Sequence, residues 1–421
     1  MKALISKSKI RGRMSAPSSK SYTIRGLMCA ALAEGKSGIM QPLSSDDTEA
    51  SINVLSRVGI RIQRKRDWWQ VTGGHFHAPD VDLFCGESAA TLRFMTAICS
   101  LIPGKCQLTA GPSLSQRPVK LLIEALRQLG TNVYCEGETA PVMIDGGRLR
   151  GGVAKLAGNV SSQFISALLF IAPLADETVK IRLTMPLESK SFVLMTLDCM
   201  GKFGIKVEFS RDLREFEIEK QVYKPAKYRV EGDWSSASYF LALGALSGEV
   251  EVANLNRQSR QGDRLILEFL KNMGASVTAK DTSIKVIKSK LNAIRADLSD
   301  CIDLLPTMAV LAAVADGVSE FTGIERARLK ESNRVSVLRE GLERMGIKVV
   351  EERDRLAIIG STPKGSVIDT KDDHRIAMSF GILGTVVGDM VIDNAECVSK
   401  TYPEFWEVLK SIGGEVEING G

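Results

Sequence analysis

The chain has no apolar run long enough to cross a bilayer, no C-x-x-C pair and only three histidines. The longest apolar run, Phe164 to Ala175, is broken by Pro173. It falls well short of the roughly 20 residues that a membrane span needs and reads as a buried helix. The eight cysteines are Cys29, Cys85, Cys99, Cys106, Cys135, Cys199, Cys301 and Cys397. Their scatter suggests neither a zinc site nor a dithiol redox centre, and reduced thiols in the cytosol are the simplest account. His75 and His77 share one strand face without a third ligand nearby, so a surface turn after Gly73-Gly74 is the reading and no metal is expected. Residues Met1 to Lys7 lack the apolar stretch of a signal peptide. Charge of one sign is hardly in excess: 55 Lys+Arg against 50 Asp+Glu leave +5. That balance favours anionic partners and gives little support to nucleic acid. The one dense basic run, Arg61 to Arg66, precedes Trp68 and Trp69 and reads as a solvated strand and turn. A cytoplasmic protein without membrane, nucleic acid or cofactor is the expectation.

What is present is a repeat. Six times an amphipathic helical pattern ends at a glycine and is followed by alternating β residues. The glycines are Gly59, Gly130, Gly204, Gly274, Gly346 and Gly413, at gaps of 71, 74, 70, 72 and 67 residues. Val119, Leu122, Leu126 and Leu129 precede Gly130 on one helical face, and Val335, Leu338, Leu342 and Met345 precede Gly346 at the same spacing. Glycine suits the left-handed position that ends a helix. Each unit carries a second, almost wholly apolar helix that must be buried: Tyr22–Ala33, Thr91–Ile102, Gln163–Leu174, Ser236–Leu246, Leu304–Ala315 and Arg375–Val387. The module is β-α-β-α-β-β, and the fold class is α/β. Three units make a domain of about 200 residues, and a crossover is expected near Tyr223 to Lys227.

The starts of the buried helices carry reactive side chains. They are Ser18-Ser19-Lys20-Ser21, Gly86-Glu87-Ser88, Ser161-Ser162-Gln163, Asp233-Trp234-Ser235-Ser236, Asp303, and Asp372-Asp373-His374-Arg375. Free N–H groups and the positive dipole end make such places natural anion sites. Ser and Asp there are also ordinary N-caps, but caps do not require Lys20, Gln163 or Arg375 beside them. Arg25, Arg117, Lys330, Arg334 and Lys400 recur at further junctions.

These segments resemble the 5-enolpyruvylshikimate-3-phosphate synthases, the 3-phosphoshikimate 1-carboxyvinyltransferases of the enolpyruvyl transferase family. The resemblance rests on Lys20-Ser21-x-x-x-Arg25, Arg117-Pro118, Val160-Ser161-Ser162-Gln163-Phe164, Glu188-Ser189-Lys190 and Asp303 before Leu304-Leu305-Pro306. Lys330-Glu331-Ser332-Asn333-Arg334, Asp373-His374-Arg375 and Ser399-Lys400-Thr401 complete it. Eight such segments in order over about 400 residues are specific.

The resemblance implies a two-domain inside-out α/β barrel with three units per domain. Domain I would hold residues 1–13 and 229–421, domain II residues 14–228, and the active site the cleft between them. The implied reaction joins phosphoenolpyruvate and shikimate 3-phosphate, in a monomer, by addition and elimination. Asp303 would be the base on the 5-hydroxyl and Glu331 the acid for the methylene carbon, with Lys20 sharing proton transfer. Ser161, Ser162 and Ser189 would hold the sugar phosphate, Ser21 and Arg25 the shikimate carboxylate, and Lys330 the ring hydroxyls. Gln163 would lie where the substrates meet. Lys20, Arg117, Arg334, Arg375 and Lys400 would hold phosphoenolpyruvate, arginine suiting a two-pronged grip on phosphate and carboxylate. Lys330 and Arg334 favour the ionised form of Glu331, so an acid role needs bound anions or burial to oppose them.

The chain departs from the family at Glu87 to Phe94, where Asn-Ala-Gly-Thr-Ala-x-Arg-Pro is usual and only Arg93 is cleanly kept. Ala89 replaces a glycine that lets backbone approach phosphoenolpyruvate closely, and reduced sensitivity to glyphosate is expected. Glu87 adds negative charge near an anion site. Phe192 stands where many members have tyrosine. Two related readings remain as alternatives. A transferase acting on UDP-N-acetylglucosamine would carry a cysteine before Arg117-Pro118, and Gly111 to Gln116 has none. An RNA 3′-terminal phosphate cyclase would want a nucleotidylated histidine, for which His374 is the candidate, but a capping and orienting role suits His374 better.

Overall fold

The computed structural model describes residues 1–420. Two compact units form: Met1–Pro17 with the chain from Glu231 onward, and Ser18–Val230. Each has its own hydrophobic core, one drawn from residues between Tyr22 and Val230, the other from Ala3 to Ala16 and Trp234 to Val416.

Among the described residues, six four-stranded sheets share one connection pattern. In the sheet containing Gly104–Thr109, the strand Leu83–Phe84 pairs in parallel on one side. Val142–Gly146 pairs antiparallel on the other and is followed by Asn132–Cys135. Between the parallel strands runs the buried helix Ala89–Ile98; between Gly104–Thr109 and the hairpin runs the amphipathic helix Lys120–Gln128. This is the expected β-α-β-α-β-β module.

Three sheets are completed by strands remote in sequence. Lys2–Ser6 lies between Met390–Asp393 and Glu415–Asn419, filling the place that elsewhere belongs to the last strand of the unit. Lys227–Arg229 pairs in parallel with Gly35–Met40, and Arg11–Ser15 pairs in parallel with Glu249–Ala253.

The six buried helices are Lys20–Leu32, Ala89–Ile98, Ser162–Ile171, Trp234–Ser247, Leu305–Ala313 and His374–Val387. They are closed on nearly all sides, which is why their sequences show no polar face. The amphipathic helices end at the six glycines, whose φ values are 100, 89, 85, 89, 84 and 101°. A side chain is disfavoured in that left-handed conformation, so glycine ends the helix there. No helix among the described residues is long and apolar enough to cross a membrane.

Candidate active site

In the unit built from the N-terminal strands and the C-terminal half, three carboxylates and four cations meet. Asp303 lies in the short turn Ile302–Leu304 that leads into the helix Leu305–Ala313, with Pro306 in its first turn. Arg334 opens the helix Arg334–Arg344, and its guanidinium is 1% exposed. It donates to Asp303 Oδ1 at 2.8 Å, to Asp373 Oδ2 at 2.7 Å and, in a short contact, to Glu331 Oε2. Arg375 donates to Asp303 Oδ2 at 3.2 Å and to the Tyr239 hydroxyl at 3.4 Å. Lys330 Nζ lies 3.4 Å from Asp303, and Lys400 Nζ lies 3.5 Å from Glu331. Asp373 also caps its helix by accepting the Arg375 N–H at 3.0 Å.

The predicted residues Asp303, Lys330, Glu331, Arg334, Arg375 and Lys400 therefore form one network. Its charges nearly balance, which is the condition for keeping ions out of water: a buried charge left without its partner costs about 3–5 kcal/mol. Burial alone would raise the Asp303 carboxyl, but the charges of Arg375, Lys330 and Arg334 prevail and hold it well below the usual carboxylate range. Burial lowers Lys330 to about 8, with Arg334 adding to the effect. His374 is buried, and desolvation drives its imidazole far below its ordinary value, so the ring is neutral. The capping expected of His374 falls to Asp373, and neither ring nitrogen of His374 has a hydrogen-bond partner; its enclosure leaves the ring no access to a nucleotide.

Sequence reasoning missed Asp263, which faces the same network. Ser235 donates to its carboxylate. Burial, and then the charge of Asp303, push Asp263 up to about 7 against the opposing pull of Arg375. Nothing in the segment Gln261-Gly262-Asp263 marks it, because its neighbours Ser235 and Asp303 come from helix starts 28 and 40 residues away in sequence. The loop before Lys330 is also fastened. The Asp354 carboxylate accepts the N–H groups of Gly323, Ile324 and Glu325 at 3.2, 2.7 and 2.8 Å.

In the unit Ser18–Val230, Ser19 caps the helix that begins at Lys20. Lys20 pairs with buried Asp47 at 2.8 Å, a partner 27 residues distant that sequence alone does not reveal. Arg25 is almost fully enclosed. It donates to Thr196 Oγ1 at 2.8 Å, the Ser21 carbonyl at 3.0 Å and the Phe192 carbonyl at 3.1 Å. Its guanidinium lies over the rings of Phe94 and Phe192, and burial lowers it to about 10. Phe192, where tyrosine is usual, thus covers an arginine face.

Arg93 joins three segments. It donates to Gln163 Oε1 at 2.6 Å, to Ser161 Oγ at 3.4 Å and to the Pro118 carbonyl at 3.4 Å, while lying over the Phe164 ring. Its retention in a divergent segment was the available signal. Ser161 caps the helix Ser162–Ile171. Arg117 is buried at the end of the short turn Leu114–Gln116. Ser189 heads the separate helix Lys190–Lys202 in a left-handed conformation, φ 52° and ψ 48°, that a serine adopts only at a cost.

Glu87 does not act as a bare charge beside an anion site. Its carboxylate accepts the N–H groups of Ser113 at 3.1 Å and Leu114 at 2.7 Å. The charge is met by backbone donors.

Repeated α/β modules whose helix starts carry serines, cations and carboxylates define a candidate enzyme for anionic substrates. Comparison with known proteins narrows that class. The family model described as EPSP synthase (3-phosphoshikimate 1-carboxyvinyltransferase) matches residues 5–409. The chain is 50% identical over 418 residues to a 3-phosphoshikimate 1-carboxyvinyltransferase of Dehalococcoides mccartyi strain BAV1, covering 99% of both chains. It is 41% identical over 409 residues to one from Methanospirillum hungatei JF-1, covering 94% of this chain and 95% of the other. A solved EPSP synthase from Acinetobacter baumannii superposes with a TM-score of 0.84 at 26% identity, over 99% of this chain and 100% of that one. The chain belongs to the EPSP synthase family.

Proposed function

We propose that this chain moves the carboxyvinyl group of phosphoenolpyruvate to the 5-hydroxyl of shikimate 3-phosphate and releases phosphate, a step of the shikimate pathway to aromatic amino acids. The observation that carries the chemistry is the network around Asp303 and Glu331. On this reading Asp303 takes the 5-hydroxyl proton while the freed oxygen attacks C2 of phosphoenolpyruvate. The C3 methylene gains a proton from Glu331, with Lys20 sharing the transfer. A tetrahedral intermediate results. Loss of a C3 proton and of the C2–phosphate bond then restores the double bond.

The ion pairs of the network bear on this. Asp303 ringed by three cations is too acidic to be an effective base. A phosphate and a carboxylate drawn to Arg334 and Arg375 would compete for those cations and raise the Asp303 carboxyl. Substrate binding would thus arm the base, and chemistry before binding would be suppressed. Ser161, Ser162 and Ser189 would hold the sugar phosphate, Ser21 and Arg25 the shikimate carboxylate, and Lys330 the ring hydroxyls. Lys20, Arg117, Gln163, Arg334, Arg375 and Lys400 would engage phosphoenolpyruvate. Phosphate release, with each substrate omitted in turn, tests the reading: it should require both. Release from phosphoenolpyruvate alone would refute it.

A further inference from the structure

The segment Glu87 to Phe94 departs from the family pattern, and Glu87 brings a negative charge to it. Glu87 precedes Ser88, the cap of the helix Ala89–Ile98. Its two carboxylate oxygens are each used: Oε1 accepts from Ser113 N and Oε2 from Leu114 N. Those N–H groups stand at the entry to the turn Leu114–Gln116, where no helical partner exists for them. The turn ends with the Arg117 N–H donating to the Leu114 carbonyl at 3.0 Å. Leu114 therefore gives its N–H to Glu87 and its carbonyl to the Arg117 N–H.

The loop is shaped to receive this carboxylate. A Cβ on Gly111 would stand 2.3 Å from Glu87 Oε1, so a side chain there would displace the carboxylate. The Gly111 N–H donates to the Gly86 carbonyl at 2.8 Å, and Ser115 N–H donates to the Gly111 carbonyl at 2.9 Å. At the far end Arg93, on the helix that Ser88 caps, donates to the Pro118 carbonyl. The segment 111–118 is thus held at both ends by the segment 86–93. Hydrogen bonds to an ionised carboxylate are shorter and roughly twice as strong as neutral ones.

We infer that Glu87 is a positioning residue that sets Arg117 for phosphoenolpyruvate, acting through the loop 111–117 and not by touching substrate. The inference rests on the reading of Arg117 as a phosphoenolpyruvate ligand. It accounts for a carboxylate being tolerated near an anion site: its charge is spent on backbone N–H groups.

The test is steady-state kinetics of Glu87→Gln, Arg117→Ala and the double variant, with KM measured for both substrates and Tm for each protein. Glutamine keeps the size of the side chain but turns one acceptor into a donor facing an N–H. Misplacing a binding group by about 1 Å costs up to 10²-fold, so Glu87→Gln should raise the phosphoenolpyruvate KM roughly ten-fold and leave the shikimate 3-phosphate KM unchanged. In the Arg117→Ala background the same change should add nothing, because coupled residues are not additive. A Glu87→Gln protein with lowered Tm but unchanged phosphoenolpyruvate KM overturns the inference, as does full additivity in the double variant. An unchanged phosphoenolpyruvate KM in Arg117→Ala removes the functional reading of Arg117, and the inference with it. A raised KM there beside an unchanged one in Glu87→Gln refutes the inference alone.

Discussion

Asp263 offers a prediction whose size follows from its surroundings. Its carboxyl is 4% exposed, accepts a hydrogen bond from Ser235, and faces Asp303 and Asp233 against the single favourable charge of Arg375. Burial and like charge bring it up from an ordinary 3.8 to about 7. Between those two pH values the folded chain holds a proton that the unfolded chain has released. Stability therefore falls as pH rises through that window, by about 1.4 kcal/mol per pH unit, and is highest below the unfolded value. The full window corresponds to a loss on the order of 4 kcal/mol. Asp263→Asn resembles the protonated acid and can still accept from Ser235, so it lacks this slope. Urea unfolding of both proteins at about pH 5, 6, 7 and 8 gives the difference directly. The asparagine variant should gain on the wild type by roughly 3 kcal/mol between pH 5 and 8 and level off above 7. A difference that stays flat with pH would show that Asp263 ionises normally and that the charge balance described around Asp303 is wrong.

Glu331→Gln should lower kcat by roughly 10²- to 10⁴-fold, the usual worth of a placed acid; an unimpaired rate removes Glu331 from proton transfer. Ser189→Gly relieves a left-handed serine and should stabilise the protein by up to about 1 kcal/mol, while raising the KM for shikimate 3-phosphate. Stabilisation without a change in that KM would make Ser189 structural only. Ala89 opens a buried helix start, and its methyl is expected to crowd glyphosate more than phosphoenolpyruvate. Ala89→Gly should tighten glyphosate inhibition by roughly ten-fold or more, the worth of one methyl group in a close-fitting site. An unchanged inhibition constant would refute that account.

Much of the fold was legible because it is local. The six terminating glycines and six apolar helices follow from periodicity within a dozen residues, and each lies where the pattern puts it. The strand pairings of Lys2–Ser6 and Lys227–Arg229 are not local. Register between segments hundreds of residues apart depends on which edges remain open once the cores form. The same division holds at the candidate site. Motif residues such as Lys330, Glu331 and Arg334 stand in one run of sequence, and Arg334 binding Glu331 is a neighbour effect. The partners that surround them come from elsewhere: Asp47 for Lys20, Asp373 for Arg334, Asp263 and Tyr239 around Arg375. Glu87 shows the limit most clearly. Sequence assigns it a charge, but only the fold shows that Ser113 and Leu114 receive it.

Addition followed by elimination requires that a proton be gained and then lost at C3 of phosphoenolpyruvate. Turnover in deuterium oxide tests it most directly, with mass analysis of product and recovered phosphoenolpyruvate. Deuterium should appear at the C3 methylene when shikimate 3-phosphate is present, and not when it is omitted. Product formed at full rate without any deuterium at C3 would contradict it.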